Sequence, residues 1–218
     1  MDINIFESGW NDFNAYVFGL IMSDGCLTPQ GRNKTMECVW INLNDKEMIE
    51  YLHNRMCIGN KIYRQGKNYS LKYRNTEGIT FMKNFKLVQR KSLTIQFPDL
   101  PDEYIRHFIR GYFDGDGSIV IKNTKYNTYA QTSITCGSFD FLESMMYKLR
   151  AFNIKSNIYK DGRSNNGSYY LRQTKRSEVE KMFDFMYKDI DKNNMLLRKY
   201  TKYQNYINNT KLKYNIKQ

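Results

Sequence analysis

Histidine, cysteine and acidic residues are all scarce in this 218-residue sequence. There are two histidines, His53 and His107, and four scattered cysteines, Cys26, Cys38, Cys57 and Cys136, with no Cys-x-x-Cys pair. That supply leaves no recognisable zinc site, and the expectation is buried free thiols in a reducing cytosol. Long apolar runs are missing too. The longest, Val17 to Met22, is interrupted by Gly19, well short of the ~20 residues that span a bilayer. The N-terminal Met1-Asp2-Ile3-Asn4 has no basic stretch followed by an apolar one, so no secretory signal is expected. Asp and Glu number 22 against 34 Lys and Arg, for a net charge of +12. A chain this basic draws in polyanions, with nucleic acid and anionic membrane the usual candidates and a basic protein with no such partner the alternative; the short apolar runs give membrane attachment little support.

Hydrophobic residues make up 41% and aromatic residues 15%, enough to bury the core of one large domain or two small ones. The most informative feature is an internal repeat. Tyr16-Val-Phe-Gly-Leu-Ile-Met-Ser-Asp-Gly25 matches Phe108-Ile-Arg-Gly-Tyr-Phe-Asp-Gly-Asp-Gly117 at an offset of 92 residues. The likeness continues in order: Ile41 to Met56 reads like Ile134 to Leu149, Ile62 to Gly66 like Ile158 to Gly162, and Tyr69 to Lys72 like Tyr169 to Arg172. Four matches in the same order make a duplicated unit. Each copy reads helix, strand, strand, helix, strand, strand, helix. Turn signals fall at Gly31-Arg32-Asn33, at Gly66-Lys67-Asn68 and from Asp161 to Gly167. The boundary is placed at Phe97-Pro98-Asp99-Leu100-Pro101, giving repeats 1–97 and 98–218, with Asp102 as the cap of the next helix. A last helix is expected from about Asn194 to Tyr206, followed by a polar tail that frays.

Within each motif, small residues stand at i and i+4: Gly19 and Ser23 in one, Gly111 and Gly115 in the other. Glycine inside a helix costs about 1 kcal/mol relative to alanine, which makes sense where another backbone must come very close. With one stripe per repeat, each helix is the natural partner of the other. Asp24 and Asp116 then end these helices, where the dipole disfavours an anion and a second carboxylate adds repulsion. Divalent cations offset both, and hard oxygen ligands completed by water and phosphate suit Mg²⁺. Two or more such ions beside a phosphodiester could activate water and stabilise the leaving oxygen. Ser23 and Gly115, adjacent to the two acids, are further candidate ligands. Taken singly, an Asp-Gly pair is a helix end in a tight turn. Two copies behind small-residue stripes in a basic chain favour the metal reading.

The segments Val17-Phe-Gly-Leu-Ile-Met-Ser-Asp-Gly25 and Ile109-Arg-Gly-Tyr-Phe-Asp-Gly-Asp-Gly117 resemble the LAGLIDADG signature of homing endonucleases, in the single-chain form with two motifs. The resemblance implies an α+β fold of two pseudo-symmetric αββαββα units packed through paired LAGLIDADG helices, with antiparallel sheets forming a DNA-binding saddle. It also implies Mg²⁺-dependent double-strand cleavage, with Asp24 and Asp116 at the position of the metal-binding acid. The sixth motif position is Asp114 in one copy but Met22 in the other, so Asp114 is not assigned a role. Similar proteins often supply a lysine just beyond the last helix of each unit. Lys91, and Lys199 beside Arg198, stand in that place and could stabilise charge on the phosphate; a solvated surface lysine is the alternative for each.

On the strands, Thr28, Gln30, Arg32 and Lys34 alternate and would share one face. Arg64, Lys67, Lys72 and Arg74 follow in the next hairpin. The second repeat offers Lys122, Lys125, Gln131 and Ser133, then Lys160, Arg163 and Arg172. Such side chains could read base edges or hold phosphates. The reading that follows is a monomeric, sequence-specific endonuclease acting on double-stranded DNA at a long, non-palindromic target. An intron maturase that binds RNA, or a DNA-binding protein without cleavage, are the alternatives. A Lys-, Asn-, Ile- and Tyr-rich composition hints at an A·T-rich genome, so the expected location is intracellular, in a phage host or bacterial cytoplasm or in an organelle matrix.

Overall fold

The helix α1 (Asp12–Asp24) runs directly into the strand β1 (Gly25–Gln30), which pairs with β2 (Met36–Leu43) and leads to α2 (Lys46–Arg55). Then come β3 (Tyr63–Gln65), β4 (Asn68–Tyr73), α3 (Thr76–Asn84) and a 3₁₀ turn at Lys91–Leu93. The order repeats as α4 (Asp102–Asp116), β5 (Gly117–Asn123), β6 (Thr128–Cys136), α5 (Phe139–Ala151), β7 (Asn157–Lys160), β8 (Tyr169–Gln173) and α6 (Arg176–Tyr187), closing with a 3₁₀ turn at Lys192–Asn194 and α7 (Leu197–Asn215). These are seen in a computed structural model, which describes residues 2–31, 36–125, 127–162 and 167–215, with side chains through 210. The αββαββα order read from the repeat is the order found.

Two compact units form, Met1–Asp116 and Gly117–Gln218. The first therefore includes α4 as well as the whole first repeat, because α4 packs along α1. Its antiparallel sheet has the order β1-β2-β4-β3, and that of the second unit β5-β6-β8-β7. Each sheet is covered by helices on one face only. In the first, Leu27, Val39, Ile41 and Leu71 point into the core with Ile49 and Leu52 of α2; in the second, Ile119, Ile134 and Leu171 do so with Leu142, Met145 and Val179. The edge strands β1 and β5 alternate buried and open residues as expected of one-sided sheets, whereas the inner strands β2, β4 and β6 also bury Cys38, Ser70 and Gln131 on the other face.

Local chemistry fixes the ends of α1. Asn11 and Asn14 form a reciprocal capping box, each side chain accepting the other's backbone N–H, at 2.8 and 2.9 Å. Asn14 is fully buried and also donates to the carbonyls of Ile5 and Gly9, so it ties the N-terminal arm to the helix. Phe6, Trp10, Phe18, Phe81 and Phe85 close around that junction with ring centroids 4.6–6.5 Å apart.

Three expectations are revised. The last helix begins later and runs further than Asn194–Tyr206. Asn194 closes a 3₁₀ turn and Met195 is extended, whereas Tyr203, Tyr206 and Thr210 form a buried stripe that carries the helix on; Tyr203 stacks on Phe183 at 3.8 Å. Asp102 is the first residue of α4, not its cap, since Pro101 already occupies the preceding position and its carbonyl accepts from Tyr104. The four thiols are free, but only Cys38 and Cys136 are buried; Cys26 lies on the open face of β1, and Cys57 follows α2 with a positive φ of 47°. No helix among the described residues is long and apolar enough to cross a membrane.

Candidate active site and nucleic-acid face

The two motif helices meet backbone to backbone. A Cβ on Gly19 would lie 2.1 Å from the Phe108 carbonyl oxygen and 2.8 Å from the Tyr112 nitrogen. One on Gly111 would lie 2.0 Å from the Tyr16 carbonyl oxygen and 2.9 Å from the Leu20 nitrogen. No side chain fits at either position, which is why the helix-weakening residue stands there. One turn further, a Cβ on Gly115 would meet Ser23 Oγ at 2.0 Å and Asp24 Oδ2 at 2.4 Å. Gly115 therefore lies directly against the last turn of α1, and its neighbour Asp116 ends α4 at the same end of the pair.

Asp24 is half-buried and Asp116 exposed. Neither motif ends in a left-handed glycine turn. Gly25 is extended (φ −89°, ψ 156°) and its N–H bonds back to Ile21 O. Glycine is needed there because a Cβ would strike the Ile21 carbonyl at 2.5 Å. Each acid thus sits at the junction where a helix becomes the first strand of a sheet. Ser23 donates its hydroxyl to Leu20 O at 3.0 Å, which leaves its oxygen lone pairs free to accept. Two carboxylates, a hydroxyl and the Gly115 carbonyl are all hard oxygen donors of the kind Mg²⁺ or Ca²⁺ takes. Among the described residues no three His, Cys, Asp or Glu side chains cluster. The donors present fit a divalent ion.

Lys91 is buried, 8% exposed, and its ammonium donates to the Gly25 carbonyl. It reaches this place because Arg90, just before it, adopts a left-handed conformation (φ 53°) that turns the chain into the short 3₁₀ helix. The solvated alternative for Lys91 is thereby set aside. Lys199, in the first turn of α7, is likewise buried at 6% exposed, while Arg198 is exposed.

Below the acids, α1 and α4 share a buried polar network that sequence reasoning missed. Tyr16 donates to Asp114 Oδ2 at 2.9 Å, and the Arg110 guanidinium lies 4.6 Å from the Tyr16 ring centroid. Arg110 and Asp114 are both fully buried. Burial, followed by Asp114, raises the Tyr16 phenol well above its ordinary range. Arg110 Nη1 also donates to His107 Nδ1 at 2.7 Å, and His107 Nε2 faces Asp12 Oδ1 at 3.2 Å. That pattern needs a neutral imidazole accepting at Nδ1 and donating at Nε2. Burial and the Arg110 charge hold the imidazole down to about 4. The only sequence signal was the acid at position 114 with an arginine four residues earlier.

Register sorts the strand candidates. Thr28, Gln30 and Lys72 stand on the open face of the first sheet; Lys122, Gln131, Ser133 and Arg172 stand on that of the second. Gln131 is only 7% exposed, and Ser133 shares a hydrogen bond with Ser118. Arg64 and Lys160 are on the wrong face. They pair with Tyr69, respectively with Tyr169, and so lie on the helix-covered side at the sheet edge. Side-chain parity inverts across each β3–β4 and β7–β8 hairpin, which puts Arg64 and Lys160 on the face opposite Lys72 and Arg172. Lys67 and Lys125 are exposed in turns. Arg74 lies beyond the end of β4 and donates to Asn60 Oδ1. Arg32, Lys34 and Arg163 fall outside the described residues.

Paired glycine-lined helices, each ending in an acid and each feeding a one-sided antiparallel sheet, define a two-motif α+β scaffold. Family models agree. Residues 13–94 match a WhiA LAGLIDADG-like domain and residues 103–185 a LAGLIDADG-like domain. The chain belongs to the LAGLIDADG homing endonuclease family, in its single-chain form with two motifs. Among solved structures, the LAGLIDADG meganuclease I-AabMI bound to uncleaved DNA aligns over 94% of this chain and 92% of that one, with a TM-score of 0.65 and 16% identity. The meganuclease I-SmaMI bound to uncleaveable DNA aligns over 93% and 91%, at 0.62 and 16%. I-DmoI in complex with DNA and Mn aligns over 82% and 98%, at 0.60 and 17%. A curated relative, a probable translation initiation factor IF-2 of Thermococcus kodakarensis, is 29% identical over 127 residues, 54% of this chain but 11% of that protein. The corresponding factor of Methanocaldococcus jannaschii is 25% identical over 68% of this chain and 12% of its own length. The chain spans about a tenth of each.

Proposed function

We propose that this chain is a sequence-specific DNA endonuclease that hydrolyses both strands of a long, non-palindromic duplex, working as a monomer inside the cell with divalent ions held by Asp24 and Asp116. The observation that carries the reading is the glycine contact between α1 and α4, which brings two helix C-termini together with an acid at each. Anions gathered where both helix dipoles disfavour them are costly unless cations are bound there. Ions bound at this end supply Lewis-acid stabilisation of charge on a scissile phosphate.

The chain's own residues do the rest. Asp24 and Asp116 hold the ions, with the Ser23 hydroxyl and Gly115 carbonyl as supplementary oxygen donors. Lys91 fixes the Gly25 carbonyl and so the direction in which Asp24 leaves its helix, which makes it a positioning residue in this reading. Lys199 is proposed as its counterpart in the second repeat. The open sheet faces take the duplex, and the net charge of +12 favours binding of a polyanion. That solved family members are described as bound to DNA, in one case with Mn, supports the same reading.

Incubating the protein with duplex DNA spanning its gene's own insertion point, with and without Mg²⁺, tests the proposal. Site-specific cutting of both strands only with Mg²⁺ is expected. Duplex binding without cutting would assign the chain to the cleavage-inactive class. Retention of the intron RNA but not the duplex would make it a maturase instead.

A further inference from the structure

The open face of each sheet carries a cation laid over aromatic rings, at the same place in the repeat. In the first sheet, Lys72 Nζ lies 4.1 Å from the centroid of the Trp40 ring and 4.7 Å from that of Tyr63. In the second, Arg172 Cζ lies 4.2 Å from Tyr170 and 5.7 Å from Tyr159. Lys72 and Arg172 correspond in the duplicated Tyr69–Lys72 and Tyr169–Arg172 segments, and Tyr63 corresponds to Tyr159. The second ring does not correspond. Trp40 comes from β2, where its counterpart Ser133 has no ring, and Tyr170 comes from β8, where its counterpart is Ser70. Two different sets of side chains thus hold a cation at one register position.

A cation over a ring is attracted to it and loses rotamer freedom in advance, which lowers the cost of presenting its N–H groups to a ligand. Among the described residues, neither Lys72 nor Arg172 has a hydrogen-bond or ion-pair partner, and Arg172 Nε is buried without one, so its Nη groups are the donors it can offer. Lys72 is the one charged side chain among the described open-face strand residues of the first sheet; the second has Lys122 besides Arg172, near the hairpin end of β5, where its cross-strand partner is Tyr129 and where, among the described residues, it lies over no ring. Around the held cations the faces are neutral, with Thr28, Gln30 and Asn42 in the first and Ser118, Ser133 and Thr135 in the second.

Resting on the DNA reading above, we propose that Lys72 and Arg172 are the guanine-reading residues, one for each half of the target, and that the base pairs around each guanine are A·T-rich. Lys and Arg meet the two major-groove acceptors of guanine, amides suit adenine, and methyl-bearing side chains suit the thymine methyl. Lys122, unheld, contacts phosphate.

The test is selection of duplexes from a randomised double-stranded DNA library by the full chain and by the variants Lys72→Gln, Arg172→Gln and Lys122→Gln, followed by salt titration of the selected duplex. The wild type should select an A·T-rich site with one strongly preferred G·C pair in each half. Lys72→Gln should erase that preference in one half only and Arg172→Gln in the other, by on the order of tenfold to a hundredfold in relative affinity, with the salt slope kept. Lys122→Gln should weaken all sequences alike and lower the slope by about one. A guanine preference unchanged in both clamp variants, or a uniform loss with a reduced slope, would overturn the inference while leaving DNA binding intact. Failure of the wild type to retain any duplex would overturn the endonuclease reading itself, and this inference with it.

Discussion

Replacing Gly111 with alanine puts a methyl carbon 2.0 Å from the Tyr16 carbonyl oxygen and 2.9 Å from the Leu20 nitrogen. Both are backbone atoms in the middle of a helix, so no side-chain rotation relieves the clash and α1 and α4 must move apart. Overpacking of this kind costs about 1–3 kcal/mol, at the upper end where backbone must shift. Alanine returns about 1 kcal/mol through its better helix propensity. The net expectation is a loss of about 2 kcal/mol, which in a chain of this size lowers Tm by about 4–8 °C. Thermal unfolding followed by circular dichroism reads the change, and DNA cutting should fall with it because the acidic helix ends separate. The sign is decisive. Were the glycines incidental, Gly111→Ala would stabilise the protein by about 1 kcal/mol, and a raised Tm would refute the close-contact argument.

Tyr16→Phe should destabilise the fold by about 1–3 kcal/mol, since it removes a 2.9 Å hydrogen bond to the buried Asp114 carboxylate; denaturant unfolding measures it, and an unchanged midpoint would contradict the network. His107 has a folded pKa near 4, below the ordinary value of about 6.5. The unfolded chain therefore takes up that proton first, and stability falls as pH drops from about 6.5 toward 4. His107→Gln should flatten that part of a stability–pH curve, and an unaltered slope would sink the assignment. DNA affinity should drop steeply with added salt, as several phosphates are neutralised; a flat titration would argue against a basic binding face.

Much of the fold is legible in the sequence. The duplicated motif, the small residues at Gly19, Ser23, Gly111 and Gly115, and the apolar stripes Met48, Ile49, Leu52 and Phe141, Leu142, Met145 set the order of elements, because periodicity and backbone-contact signals are local. Register across a hairpin is not local. Arg64 and Lys160 lie close in sequence to Lys72 and Arg172, yet the strand register puts them on opposite faces. The His107, Arg110 and Asp114 network was hidden for another reason: polar residues on a helix read as a solvated face until a partner helix covers them. Nor does any sequence pattern show that Lys72 lies over Trp40 and Tyr63, which come from two other strands.

The central claim is that the carboxylates ending α1 and α4 act together on a phosphodiester. Duplex cleavage with Mg²⁺ by Asp24→Asn and Asp116→Asn, beside an equilibrium binding measurement on the same duplex, tests it most directly. Each single variant should bind DNA much as the wild type does and yet lose double-strand cutting. Full cutting by both variants would contradict the account.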